Sequence, residues 1–195
     1  MTQSLRSRLR SQKGQSLIEL SLIAPLMIFL AYGAIEVGQV ISTHLTMTHT
    51  SREGANLVSR GTIANDALDA IIASASDTFK VSNEANWKII YSKLVQDTTV
   101  PCPDPPTTPC TYRIDGGPNG RLTRGLLAKN SKLSATGAVN EIVTIPGITG
   151  VIAGQTFQVI EVYFNYLPYI VTYVGRGINT DFYDRTIFTN VSGSV

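Results

Sequence analysis

Apolar positions crowd the first part of the chain and thin out after it. From Leu17 to Ile41, 25 residues pass with no Lys, Arg or Asp, and only Glu19 and Glu36 bring carboxylates into the run. As a helix it would measure roughly 37 Å at about 1.5 Å per residue, more than the hydrocarbon core of a bilayer requires. The pattern predicts a transmembrane span over about residues 17–41. Pro25 lies about two turns in, where its missing N–H favours a kink. Gly33, Ala34 and Gly38 are small enough to let another helix approach closely. Past Ile41 polar residues take over, yet Leu45, Met47, Ala55, Leu57 and Val58 keep an apolar contribution. One helix is therefore expected to continue to Arg60, with Gly61 as its C-cap.

The rest of the chain changes period. Thr62 to Gln96 has helical spacing: Asn65-Asp66 can cap a helix carrying Ala67, Leu68, Ala70, Ile71, Ile72 and Ala75. Asn83-Glu84 opens a second short helix with Trp87, Ile90, Tyr91 and Leu94 on its inner face. From Thr111 turns and strands take over. Tyr112–Ile114 is a strand candidate, Asp115-Gly-Gly-Pro-Asn-Gly120 a turn, and Thr123–Lys129 a helical turn. Glu141–Ile145 is a strand closed by Pro146-Gly147. Thr156–Leu167 alternates, with Gln158, Ile160, Val162, Phe164 and Tyr166 on one face and Glu161 and Asn165 on the other. Phe182–Val191 forms a last strand, after a short apolar stretch at Ile170–Val174. The fold class is α+β: a long membrane-spanning N-terminal helix continuing into a small ectodomain of helices and a C-terminal antiparallel sheet.

Charge sharpens the topology. The formal net charge is +2. Residues 1–14 hold Arg6, Arg8, Arg10 and Lys13 and no acid, so the excess sits wholly in this leader. Basic residues flanking a span mark its cytoplasmic side, which puts the N-terminus inside and the ectodomain outside. Without the leader the chain is slightly acidic, and nothing points to a nucleic-acid partner.

Candidate chemistry is sparse. Cys102 and Cys110 are the only cysteines, set in a proline-rich stretch from Val100 to Cys110. In an oxidising compartment they pair as a disulfide worth about 2–3 kcal/mol in the chain-entropy model; otherwise they are reduced thiols. Their spacing is not that of a Cys-x-x-Cys redox motif. His49 and Glu53 share a helix face, but His44 and His49 diverge by about 140°, and no further ligand completes a metal shell. No Gly-x-Ser-x-Gly occurs, and the glycines at 116–120 lack the Lys of a phosphate loop. The chain is expected to be no enzyme and to hold no cofactor or metal.

Two N-terminal readings compete. An ordinary signal peptide has a shorter apolar core and a small-x-small cleavage site. The alternative is cleavage between Gly14 and Gln15, which leaves the span on the mature chain. Gly14-Gln15-Ser16-Leu17-Ile18-Glu19 resembles a prepilin peptidase site of the type IV pilin class. Ala24-Pro25-Leu26, Gly33-Ala34-Ile35-Glu36-Val37-Gly38 and Ser51-Arg52-Glu53-Gly54-Ala55 follow in order. The series resembles the N-terminal region of TadE/TadG-like pseudopilins, minor pilin-like components of tight-adherence (Flp, type IVc) pilus systems. The resemblance implies a leader at 1–14, an N-terminal helix at 15–60 and an extracytoplasmic α+β domain at 61–195. It also implies prepilin peptidase, other pilin subunits and pilus assembly proteins as partners in a bacterial inner membrane. Glu19 would then pair with the positive N-terminus of a neighbouring subunit and set its register, although an N-terminal Gln can cyclise and lose that charge. The other reading of the same span is a signal-anchored extracytoplasmic binding module that keeps its leader.

Overall fold

The computed structural model describes residues 3–79, 81–97, 99, 111–134, 136, 138–145, 155–168 and 180–190. Helix α1 runs from Gln3 to Ser59 and α2 from Ala64 to Ser74; a 3-10 segment spans Val81–Asn86. Six strands follow: β1 (Trp87–Gln96), β2 (Thr111–Ile114), β3 (Arg121–Arg124), β4 (Ile142–Thr144), β5 (Thr156–Tyr166) and β6 (Thr180–Asn190). The chain divides into two compact units, residues 1–42 with 167–178 and residues 43–166 with 179–195.

The first unit holds the apolar part of α1. Its helix begins at Gln3 rather than at the expected residue 15. The leader is built from Arg, Leu, Gln, Lys and Ser, with no Pro or Gly before Gly14, so nothing in it stops a helix. The helix also runs through Pro25 without a break. Proline there leaves the Ser21 carbonyl without its usual amide donor. From Ser16 onward α1 is long and apolar enough to cross a membrane, and none of its most apolar window is buried.

In the second unit, α1 ends in a C-terminal turn that sequence anticipated. Gly61 has φ +95°. Its N–H donates to Val58 O at 3.0 Å and the Thr62 N–H to Leu57 O at 3.2 Å. These are the paired bonds of a Schellman motif, which satisfy two terminal carbonyls. The next helix, α2, starts at Ala64 behind Ile63, with no side-chain cap. Asn65 and Asp66, expected as caps, lie inside its first turn.

The sheet has the order β4-β2-β1-β5-β6, with β3 also paired to β1. All its pairings are antiparallel. It begins in mid-chain, because Trp87–Gln96 is a strand and not the expected helix. The helical turn expected over Thr123–Lys129 is absent: Thr123 and Arg124 end strand β3, and 125–129 hold no helix. Strand β1 is central and pairs along β5, with Ile89 opposite Val162 and Tyr91 opposite Ile160. One sheet face carries Trp87, Ile89, Tyr91, Ile160 and Val162. These pack with Met47, Ala55 and Val58 of α1 and with Leu68 and Ile71 of α2. The other face carries Leu94, Tyr112, Ile114, Phe157 and Val159, covered by Leu133 and Ile145. Each large apolar side chain so buried contributes roughly 1.5–3 kcal/mol relative to exposure.

Candidate functional site

Sequence pointed to the head of α1, and the structure places those residues on one helix. Gly14, Gln15 and Glu19 all lie within it. Gln15 and Glu19 are four residues apart, so their backbone positions stack one turn above the other. Glu19 is exposed and has no ion-pair partner among the described residues. Around it Leu17, Ile18, Leu20, Leu22 and Ile23 are all more than half exposed, and the exposure continues through Phe29 and Tyr32. Monomeric soluble proteins rarely expose an apolar surface of this extent, which marks a site of contact with a membrane or with other protein. A carboxylate in that covering costs several kcal/mol unless it is neutralised or paired.

The segment Ser51-Arg-Glu-Gly-Ala55 divides by face. Ser51 is fully buried. Its hydroxyl donates to the Asp184 carboxylate of β6 and lies 2.8 Å from Thr186 Oγ1. Gly54 meets strand and helix at once: a Cβ there would sit 2.7 Å from Ile160 Cδ1 and 2.8 Å from Ile71 Cδ1. Ala55 is fully buried beside it, while Arg52 and Glu53 are exposed. Small residues at 51, 54 and 55 thus let α1 lie close on the sheet. Of the two histidines, His49 is exposed and His44 packs edge-on against Phe182 with ring centroids 5.9 Å apart.

Sequence reasoning missed a buried carboxylate. Glu161, expected on the polar face of β5, is fully buried at the centre of the sheet. It accepts from the Ser131 hydroxyl, from the Lys132 N–H at 2.9 Å, and from the Tyr163 and Tyr183 hydroxyls at 3.0 Å each. Burial first, then the charge of Glu161, pushes both phenol pKa values up. The Lys132 ammonium sits 3.8 Å above the Tyr183 ring. Further along, the Lys88 ammonium donates to Lys129 O at 2.6 Å and Lys129 pairs with Asp181 at 2.5 Å. Together these bonds fasten residues 129–132 over the second sheet face. Three of these donors converge on Oε1 and one on Oε2, so the group serves as a clasp between the 131–132 segment and the two strands.

An open groove of about 530 Å³ with a mixed polar and apolar lining lies where α1 ends. It is lined by Val58 and Thr62, the Tyr91–Gln158 hydrogen-bonded pair, and Lys93 and Asp115. Lys93 and Asp115 form an ion pair at 2.8 Å. The lysine ammonium and the Gly117 N–H hold the Asp115 carboxyl below its ordinary range. Burial drives the Tyr91 phenol up, with Asp115 adding to the effect. Cys102 and Cys110, expected to pair, lie outside the described residues.

Against known proteins, the family model described as TadE-like protein matches residues 14–56. No curated protein and no solved structure matches significantly. The matched stretch starts at the expected cleavage glycine, takes in the whole apolar run, and stops after the Ser51–Ala55 segment that seats α1 on its sheet. Over residues 14–56 the chain is thus similar to the TadE-like family, the one its motif series resembles.

Proposed function

We propose that the chain is a minor pilin-like structural component of a tight-adherence pilus or a related secretion machine, and that it acts by assembly rather than catalysis. The observation that carries this reading is the TadE-like match over residues 14–56, which falls on an exposed apolar helix with a carboxylate near its head. In this reading the basic leader stays in the cytoplasm, the span crosses the inner membrane, and the sheet domain stands outside it. A membrane prepilin peptidase cuts between Gly14 and Gln15. Glycine inside a helix costs roughly 1 kcal/mol relative to alanine, which eases local unwinding of α1 at that bond.

Cleavage places an α-amine at the head of an apolar helix. In a bundle of such helices Glu19 pairs with the amine of a neighbour. A subunit out of register leaves Glu19 unpaired in lipid, and that penalty makes the pair a register device more than a source of net stability. Replacing Glu19 by Leu is then expected to leave membrane insertion intact and to abolish co-purification with other pilin subunits. Unchanged co-purification would show that the register role is wrong.

The groove at the end of α1 favours a second reading, a signal-anchored extracytoplasmic binding module that keeps residues 1–14. There Glu19 has no assembly role, and Lys93, Asp115 and Gln158 would be the contact residues.

A further inference from the structure

Resting on the cleavage read above, we propose that Gln15 is a self-modification site whose reaction is held off by Glu19 in assembled subunits. Once Gln15 is the first residue, its α-amine can attack its own side-chain amide carbon. The new N–Cδ bond closes a lactam, the Cδ–Nε2 bond breaks, and the amine's proton leaves with ammonia. Nothing is oxidised or reduced, and no co-reactant is required.

Only the neutral amine is a nucleophile. An unperturbed α-amine has a pKa of about 7.7–8.0, so roughly a tenth of it is neutral near neutral pH. A carboxylate within hydrogen-bond reach favours the ammonium, and each unit of upward shift lowers the neutral fraction about tenfold. Among the carboxylates of α1, Glu19 is one turn from residue 15, and the next, Glu36, lies roughly 30 Å further along the helix. Glu19 of a parallel neighbour at the same level, the pairing read above, is therefore the α1 group that keeps the amine charged, and only in assembled subunits.

An unpaired amine has the opposite pressure on it. A positive charge at a helix N-terminus opposes the macrodipole, and an ammonium is costly beside lipid. The neutral lactam relieves both. Free subunits therefore drift to the lactam, while subunits whose amine is paired with Glu19 keep it open. Cyclised chains are lost to assembly, because the register pair has no cation left.

The test uses the full chain extracted in detergent from cells that contain the peptidase. Assembled and free pools are separated by size, and the intact mass and N-terminal fragments of each are measured. The expected result is a free pool lighter by one ammonia at Gln15 and an assembled pool unmodified. Glu19→Gln should lose ammonia about tenfold faster at neutral pH than the assembled wild type. Chains starting at Gln15 with no ammonia loss in either pool overturn the modification while leaving cleavage intact. Equal loss in both pools and in Glu19→Gln overturns the protective pairing. Chains that still start at Met1 overturn the cleavage reading itself, and the inference with it.

Discussion

Replacing Glu161 by leucine should bring the sheet domain close to unfolding. The substitution keeps most of the side-chain volume and removes the acceptor for four donors: Ser131 Oγ–H, Lys132 N–H, Tyr163 Oη–H and Tyr183 Oη–H. Lys132 N–H keeps a second partner in Tyr163 Oη at 3.0 Å, and the half-buried Tyr183 can turn toward water. Ser131 and Tyr163 are buried and have no such escape. Each buried donor left unpaired costs about 1–3 kcal/mol, so a loss of roughly 2–6 kcal/mol follows from these two. Domains of this size are stable by about 5–15 kcal/mol, so the variant retains little margin. Glu161→Gln keeps one acceptor oxygen but turns an amide N–H₂ toward existing donors, and should lose about 1–2 kcal/mol. Trp87 is the only tryptophan in the chain and is 3% exposed in the core of the opposite sheet face. Its fluorescence therefore follows urea unfolding of the domain in the detergent-solubilised full chain. Matching midpoints for Glu161→Leu and wild type would refute the idea that this carboxylate fastens residues 129–132 to the sheet.

Other predictions follow from the seat of α1 and from the loops. At Gly54 the atoms in the way are the tips of Ile160 and Ile71. Gly54→Ala should change stability by less than about 1 kcal/mol, because helix propensity offsets the crowding, whereas Gly54→Leu should cost about 1–3 kcal/mol or more; thermal melts of the two variants separate these outcomes. Ser51→Ala leaves Asp184 and Thr186 without their helix partner, and should lower stability by about 1–3 kcal/mol and raise amide exchange along β6. Glu141 accepts from the Thr136 hydroxyl and N–H and from the Ala138 N–H, and the Thr136 hydroxyl foremost lowers its carboxyl to about 2 from an ordinary 4.5. The unfolded chain takes up that proton first. The stabilisation is therefore complete above pH 4.5 and is lost as pH falls toward 2, and Glu141→Gln should abolish this part of the pH slope in urea melts.

Sequence resolved the parts whose environment is set locally. The span, the Gly61 cap, and the strands at Tyr112–Ile114, Glu141–Ile145, Thr156–Leu167 and Phe182–Val191 were legible because their periods and stop signals are short-range. Strand β1 was not, for a physical reason. Trp87, Ile90, Tyr91 and Leu94 stand at the spacing of one helix face, and a central strand buried on both sides has no alternation to betray it. Its Ile, Tyr, Trp and Val content was the available signal. Glu161 was placed with Asn165 on the face opposite Ile160, and strand alternation alone does not show that this face is covered too. Its four donors come from residues 131–132, from β5 and from β6, and only the folded chain brings them together. In the leader the reverse happened: the helix was expected from residue 15, yet the residue types of 3–13 favour a helix that runs on into the apolar run.

The central claim is that Gln15 heads the mature chain and that the apolar helix stays with it. The most direct measurement is the intact mass and N-terminal sequence of the membrane-extracted protein from cells with and without their prepilin peptidase. The pilin-like reading predicts a chain beginning at residue 15, with or without loss of ammonia, only where the peptidase is present. A chain that retains residues 1–14 in both strains would contradict it and leave the anchored binding module, and loss of everything through Ile41 would contradict both.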